Sequence, residues 1–282
     1  VKYAGSDPLV TYGTGIALHG GVAVESQSGF NGSLSIERST ISNTAGNGLI
    51  VEEGTLLLEF SANAFINNTA SAVRIDANNV GAIDAFTDFL GGFGGTGTNG
   101  FNGVEINASG NPIHDITRDA TWAALANGAN YRVTQSFDVE AEVNIMAGAT
   151  IEFEANQTMT FKQNLNTPLG TLIAKGEVSQ PVTFTGVEKR AGYWRGLVIQ
   201  SNSILNEIDH CIVEYGGSDA IAGELANIGL EKDGAYDSPA LKISNTTIRH
   251  SAGCGIVIEA ADSDFTASDN TYIENAGSNL CQ

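Results

Sequence analysis

Thr40-Ile41-Ser42-Asn43-Thr44-Ala45-Gly46-Asn47-Gly48-Leu49-Ile50-Val51 returns as Thr247-Ile248-Arg249-His250-Ser251-Ala252-Gly253-Cys254-Gly255-Ile256-Val257-Ile258, an offset of 207 residues. The offset holds without a gap on both sides. Leu34 and Ile36 match Leu241 and Ile243, while Asn63, Phe65, Ile66 and Asn68 match Asn270, Tyr272, Ile273 and Asn275. A shorter period runs inside this one. Thr247 through Gly253 is answered by Thr271 through Gly277, and Ile41-Ser42-Asn43-Thr44-Ala45 recurs as Ile66-Asn67-Asn68-Thr69-Ala70, giving a unit of roughly 25 residues. A unit that short cannot bury its own apolar side; it must stack on copies of itself, which defines a solenoid.

Within the units the apolar residues alternate in short bursts, among them Val143/Ile145, Ile151/Phe153, Val182/Phe184, Leu197/Ile199 and Ile256/Ile258. Period two is the signature of strands. Gly, Asn, Ser, Thr and Asp fill the gaps, and these residues favour tight turns. Outward Asn, Ser and Thr are expected to ladder along those turns. The best helical candidate is Ala120 to Ala126, only two turns long. The expected fold is therefore all-β, a right-handed parallel β-helix with rungs of roughly 25 residues.

Near the start, Val1-Lys2-Tyr3-Ala4-Gly5-Ser6-Asp7 matches Val213-Glu214-Tyr215-Gly216-Gly217-Ser218-Asp219, so residue 1 corresponds to the middle of a module. The expectation is a slice of a longer tandem array. Residues 1–115 would be the back part of one module and 116–282 most of the next. Cut rungs leave unpaired strand edges, which predicts weak end-to-end self-association.

Charge narrows the partners. With 13 Lys+Arg against 32 Asp+Glu, the net charge is -19, and a surface this acidic repels nucleic acid and anionic lipid. No apolar run approaches the roughly 18 residues of a membrane helix, and Val1 does not open a signal peptide. The cysteines Cys211, Cys254 and Cys281 are too few for a disulfide scaffold. Cys254 and Cys281 lie about one rung apart, so they read either as a disulfide of an exported protein or as small core residues.

From Thr121-Trp122 onward, Ala147-Gly148-Ala149-Thr150-Ile151-Glu152-Phe153, Gly170-Thr171-Leu172-Ile173-Ala174-Lys175-Gly176, Pro181-Val182-Thr183-Phe184-Thr185-Gly186 and Tyr193-Trp194-Arg195-Gly196-Leu197-Val198-Ile199 follow in order. Ile212-Val213-Glu214-Tyr215-Gly216-Gly217 closes the series. This succession resembles the secreted right-handed parallel β-helix proteins of bacteria, the pectin-lyase-like group, over about residues 115–282 directly and over 1–110 through the internal repeat. The resemblance implies the fold and an extracellular setting. It does not carry an activity, because this scaffold hosts lyases, hydrolases, adhesins and spacers.

Catalytic signals are thin. Glycoside hydrolysis needs converging carboxylates, yet Glu52-Glu53 and Asp262/Asp264 lie in turns, and neighbouring strand residues face opposite ways. The acidic pairs of polygalacturonase-like relatives are missing. Ile208-Asp209-His210 is similar to the same stretch of pectate lyases, but no basic residue is placed to take a proton; Arg195, Arg249 and Lys242 stand alone. The histidines His19, His114, His210 and His250 are dispersed, though folding could bring His210 and His250 onto adjacent rungs.

Two insertions interrupt the rhythm. Gly91 to Gly103 is glycine-rich but lacks the lysine and helix of a phosphate loop. Asp219 to Pro239 suggests a protruding arm, and its stretch Glu231-Lys232-Asp233-Gly234-Ala235-Tyr236-Asp237 offers the hard oxygen ligands that Ca2+ takes, without an EF-hand spacing. For a sugar ligand the expected contacts are Tyr193, Trp194 and Tyr236, which would stack on ring C–H groups, with Asp233 and Asp237 bonding hydroxyls. The competing reading of Trp122 and Trp194 is core filling.

These features point to an extracellular or cell-surface structural and binding module, directed at a glycan or another surface component. The rival is a polysaccharide lyase or hydrolase on the same scaffold. An ice-binding surface would need regular outward Thr ranks, which are absent.

Overall fold

Three short strands per coil, each turning alternate side chains inward, give a chain that closes on its own core and hands every backbone edge to the next coil. The computed structural model describes residues 8–11, 15–18, 22–24, 32–52, 54–90, 98–107, 116–163, 169–234, 238–259, 261 and 263–282. It divides into two compact units, Val1–Asn111 with Leu125–Tyr131, and Pro112–Ala124 with Arg132–Gln282.

In the first unit β1 (Pro8–Thr11) and β2 (Gly15–Leu18) form an antiparallel pair, and β3 (Val22–Val24) follows. Two coils come next, β4 (Ser33–Glu37), β5 (Thr40–Ser42), β6 (Leu49–Val51) and β7 (Leu56–Ser61), β8 (Ala64–Ile66), β9 (Ser71–Ile75), paired strand on strand in parallel. A third coil covers them. It has a 3-10 turn (Ala77–Ala82), a single bridge from Ala64 to Asp88, and β10 (Phe101–Ile106) on β9. Phe60, Phe65 and Phe89 stack through its interior with ring centroids 6.1 and 5.9 Å apart.

The second unit repeats the three-strand coil. Its strands are β11 (Ala120–Trp122), the last two residues of β12 (Asn130–Val133), β13 (Phe137–Val139), β14 (Glu142–Met146), β15 (Thr150–Phe153), β16 (Thr158–Phe161), β17 (Thr171–Lys175), β18 (Val182–Gly186) and β19 (Gly196–Ile199). They continue as β20 (Glu207–Asp209), β21 (Cys211–Glu214), β22 (Ala226–Leu230), β23 (Ala240–Ser244), β24 (Thr247–Arg249), β25 (Cys254–Ile258), β26 (Asp264–Ser268), β27 (Thr271–Ile273) and β28 (Leu280–Cys281). Sheet I runs β11-β14-β17-β20-β23-β26, sheet II includes β15-β18-β21-β24-β27, and sheet III runs β13-β16-β19-β22-β25-β28. All these pairings are parallel, so the unit is a parallel β-helix.

Each sheet contributes a ladder to the core. Trp122, Ile145, Ala174, Ile208 and Ile243 stack from sheet I. Ile151, Phe184, Val213 and Ile248 stack from sheet II, and Phe137, Met159, Leu197, Ile228 and Ile256 from sheet III. None is more than 3% exposed, so each large side chain contributes about 1.5–3 kcal/mol of burial.

Three expectations are corrected. Aligning Ile41 with Ile66 implies a step one residue too long, because Ile41 pairs with Phe65 and Ser42 with Ile66. Ser39 and Asn63 bond across one coil and are 24 residues apart. Alternation decides this: a slip of one would turn Phe65 outward and leave the core a hole. The helical reading of Ala120 to Ala126 fails too, since Ala120–Trp122 is β11 and Trp122 packs beneath Ile145. Tertiary packing overrides a propensity that weak. Finally, the arm at Asp219–Pro239 contains β22, and its Ile221 folds back on Val198 and Val257 outside sheet III. A Cβ at Gly229 would lie 2.1 Å from the Ile221 side chain, so only glycine admits that contact. The Val1–Asp7 match and Gly91–Gly97 of the glycine-rich stretch lie outside the described residues. Among the described residues no helix is long and apolar enough to cross a membrane.

The outward ladder of asparagines is present where Asn67 Nδ2 donates to Asn43 Oδ1 at 3.5 Å, while other asparagines are turned inward as staples. Asn63 accepts from Ser39 N and donates to Ile36 O, each at 3.0 Å. Asn270, at the equivalent place 207 residues on, accepts from Thr246 N at 3.0 Å and donates to Ile243 O at 3.1 Å. Corner amides turned away from water require such partners. Asn227, fully buried, accepts from Gly216 N at 2.7 Å and donates to Val213 O at 3.2 Å and Arg249 O at 2.8 Å. Asn227→Ala orphans these groups and should cost about 2 kcal/mol. A urea titration will show this as a lower midpoint with an unchanged slope.

Candidate functional site

A three-sided coil turns where strands end, and in this fold the turning residue of several coils takes a left-handed backbone. His210 (φ 50), Asn245 (φ 50) and Asp269 (φ 55) make one column between sheets I and II. Tyr215 (φ 67), His250 (φ 54) and Glu274 (φ 51) make a second, between sheets II and III. The conformation costs a side-chain-bearing residue about 1–2 kcal/mol. Parallel pairing enforces it here, with His210 N donating to Ser244 O at 3.2 Å and His250 N to Ile273 O at 3.0 Å. Each column aims its side chains away from the core.

Between the columns lies the outer side of β21, β24 and β27. Alternation places Ile212, Thr247 and Thr271 in one outward rank and Glu214, Arg249 and Ile273 in the next. Beside the first column is a pocket of about 380 Å³ rimmed by Glu177, Val178, Pro181, His210, Asn245 and Asp269. Tyr215 and His250 stack in the second, with centroids 5.1 Å apart and planes 11° from parallel, and His250 Nδ1 lies 3.3 Å from Glu274. At about 3.3 Å per residue the strand between His210 and Tyr215 sets the columns ~16 Å apart. The result is an outer surface of mixed Thr, Ile, Glu and Arg side chains with an aromatic margin.

Several charges on and beside this surface are paired. Glu214, its side chain 7% exposed, accepts from Arg249 Nε at 2.6 Å and Thr185 Oγ1 at 2.9 Å. On sheet I, Glu207 lies between Lys175 and Lys242, and those two bonds hold its carboxyl below the ordinary range. Asp209 accepts from Ser244 Oγ at 2.7 Å and Asn245 Nδ2 at 2.8 Å, with His210 Nδ1 at 2.9 Å. Partial burial works against the Asp209 anion, but these bonds outweigh it and hold the carboxyl at about 2, against an ordinary 3.8. With Nδ1 turned to Asp209, the Nε2 atom of His210 is the one left for a ligand. Next to it, burial pushes the Cys211 thiol up to about 12, so it is no nucleophile at neutral pH.

Of the residues expected to hold a sugar, Tyr193 and Trp194 are buried. Trp194 is fully buried, stacks on Phe153 at 4.1 Å, and donates Nε1 to Glu214 O at 2.8 Å. Core filling wins for Trp194, which has no face to offer a ligand. Tyr193 is 6% exposed, donates its hydroxyl to Glu154 at 3.1 Å and lies under Arg190; burial first, then that bond, raises its pKa. Asp233 is half-buried on the segment after β22, while Tyr236 and Asp237 lie outside the described residues. In the same segment Glu231 accepts from Gln200 Nε2 and Ala222 N at 2.9 and 3.2 Å. Among the described residues no three His, Cys, Asp or Glu side chains gather into a group that could hold a metal ion. Cys254 and Cys281 form a disulfide.

The stack of Tyr215 on His250 is not encoded in the strand period of the sequence. A signal was present, since His250 occupies the place of Asn43, and Asn43 is itself left-handed at φ 57. No family model matches the chain, and neither the curated proteins nor the solved structures give a match.

Asp209 also yields a pH prediction. Its folded pKa lies below the unfolded one, so the stabilisation is complete above pH ~4 and is lost as pH falls toward about 2. Asp209→Asn should lower stability at pH 7 and flatten its decline over that window. Thermal melts of both proteins from pH 7 to pH 2 will read this.

Proposed function

We propose that this chain is an extracellular or cell-surface binding module that lays a polysaccharide across the outer side of β21, β24 and β27. The observation that carries the reading is the state of the outward carboxylates. Asp138, Glu152, Glu207 and Glu214 each rest on a lysine or arginine of a neighbouring coil. Each such pair holds its two side chains in one geometry and so stiffens the surface it sits on. Asn245, Asp269 and Thr271 supply groups for hydroxyls, and the Tyr215–His250 stack supplies a face for sugar C–H groups.

Two further features support the setting. The Cys254–Cys281 disulfide fits an oxidising compartment. The motif series from Trp122 to Gly217 resembles the secreted pectin-lyase-like β-helix proteins, many of which act outside the cell.

Native affinity electrophoresis through gels cast with neutral and acidic polysaccharides, with calcium and with a chelator, tests the reading. Retardation by at least one neutral polymer without its cleavage is expected. Tyr215→Ala combined with His250→Ala should weaken that retardation about tenfold, ~1.4 kcal/mol. Cleavage of the retarded polymer that disappears in His210→Ala would instead establish a lyase or hydrolase, and unchanged mobility in every gel would leave adhesion to protein.

A further inference from the structure

A pocket whose polar side chains mostly accept hydrogen bonds calls for a ligand rich in donors, and one corner of the second unit holds such a pocket. It is the cavity of about 380 Å³ beside the column of His210, Asn245 and Asp269. One coil before His210 the same corner is extended by a tight turn, in which Glu177 N donates to Gln180 O and Gln180 N to Glu177 O, each at 3.0 Å. That turn brings Glu177 and Val178 to the cavity. Val178 is 88% exposed, so core packing does not account for an apolar residue at this place.

The rim groups are set as acceptors. Asn245 donates Nδ2 to Asp209 at 2.8 Å, which leaves its Oδ1 to accept. His210 turns Nδ1 to the other oxygen of that carboxylate at 2.9 Å, so in the neutral ring Nε2 carries the lone pair. Glu177 and Asp269 add two carboxylates, and among the described residues neither has an ion-pair or side-chain hydrogen-bond partner. The cations nearby are committed elsewhere, Arg249 to Glu214 and both Lys175 and Lys242 to Glu207. Among the described side chains that line the cavity none is lysine or arginine, and the donors left are the Thr247 hydroxyl and the second Asn245 N–H.

A primary ammonium is the complement of this arrangement, because it brings one positive charge and three N–H donors and accepts nothing. Hydroxyls would reach the same acceptors but leave both carboxylates without a cation. Val178, Pro181 and Ile212 give the cavity an apolar share of its lining, which suits the C–H groups of a ring. We infer that this pocket takes the free amine of a 2-amino sugar, and that the polymer crossing β21, β24 and β27 is built of hexosamine residues that are not acetylated. The inference rests on the glycan reading and names its polymer. The net charge of -19 attracts a cationic chain to the whole surface, whereas the pocket fixes its register, ~16 Å along the strand from the Tyr215–His250 stack.

Calorimetry of the whole chain at pH 7 and ~0.15 M salt, where distant charges are screened, compares a glucosamine tetrasaccharide with its fully N-acetylated form. The amino form should bind about tenfold more tightly, a modest factor because Glu177 and Asp269 are exposed to water. Glu177→Gln with Asp269→Asn should reduce that difference to less than twofold at an unchanged Tm. Glu59→Gln with Glu224→Gln, which removes the same charge from exposed places outside the pocket, should leave the difference intact. Equal affinity for the two forms, with Tyr215→Ala and His250→Ala still weakening both, overturns the inference and leaves the glycan reading standing. Binding of neither form overturns it too, and the glycan reading then depends on the polymers in its own gels. An equal loss in the Glu59 and Glu224 variant, or binding of spermine as tight as that of the amino tetrasaccharide, also overturns it, since charge alone or any amine would then suffice.

Discussion

In-register parallel pairing of successive coils is the constraint from which the remaining features follow. Once Ile212 lies beside Thr247 and Thr247 beside Thr271, the inward ladder of Val213, Ile248 and Tyr272 is settled. So are the outward ranks, the places where the chain must turn left-handed, and the carbonyls that need an asparagine amide. Asn63 and Asn270 make the same two bonds in different units because the same register puts the same groups in reach. Insertions are tolerated only where this pairing is not disturbed. The coil from Glu214 to Arg249 spans 35 residues and that from Ser39 to Asn63 spans 24, yet both pair strand on strand.

Electrostatics is organised by the same pairing. A net charge of -19 would work against a compact fold if the acids were spread at random. Instead, scarce cations sit one coil away from selected acids, as Arg132 does for Glu152, Lys162 for Asp138 and Arg249 for Glu214. Exposed pairs contribute little each, about 0–1 kcal/mol, but the least exposed one, at Glu214, also joins Thr185 and so links three strands. The acid excess is left on the remaining surface, where water screens it.

Much of the architecture was legible in the residues because a solenoid is a local object. Alternation in Ile151/Phe153 or Val182/Phe184 reports strand and facing together, and the 207-residue offset reports stacking. The offset carries β4 onto β23, β5 onto β24 and β8 onto β27 residue for residue. What escaped was set by contacts between coils. Identity drew Ile41 toward Ile66, although the partner is Phe65. Trp194 has the composition of a sugar-stacking residue, and only the position of Phe153 decides that it is core. For Tyr215 and His250 the determining facts are a left-handed corner and a neighbour 35 positions away, neither of which a strand period encodes.

The left-handed corners also bear on how such a module changes over generations. Asn43 and His250 occupy one corner position, Asn67 and Glu274 the next, Arg38 and Asn245 another, and Ala62 and Asp269 a fourth, all with φ between 46 and 57. Amide, imidazole, carboxylate, guanidinium and methyl groups thus exchange freely at places whose backbone stays the same. Core ladders and asparagine staples vary less: Ile41 answers to Ile248 and Asn63 to Asn270, although Phe60 is answered by Ala267 and the buried Asn47 by Cys254. The coil therefore separates a grammar of apolar ladders from an open vocabulary at its corners, and a duplicated module can acquire a new surface by corner substitutions while its interior stays apolar.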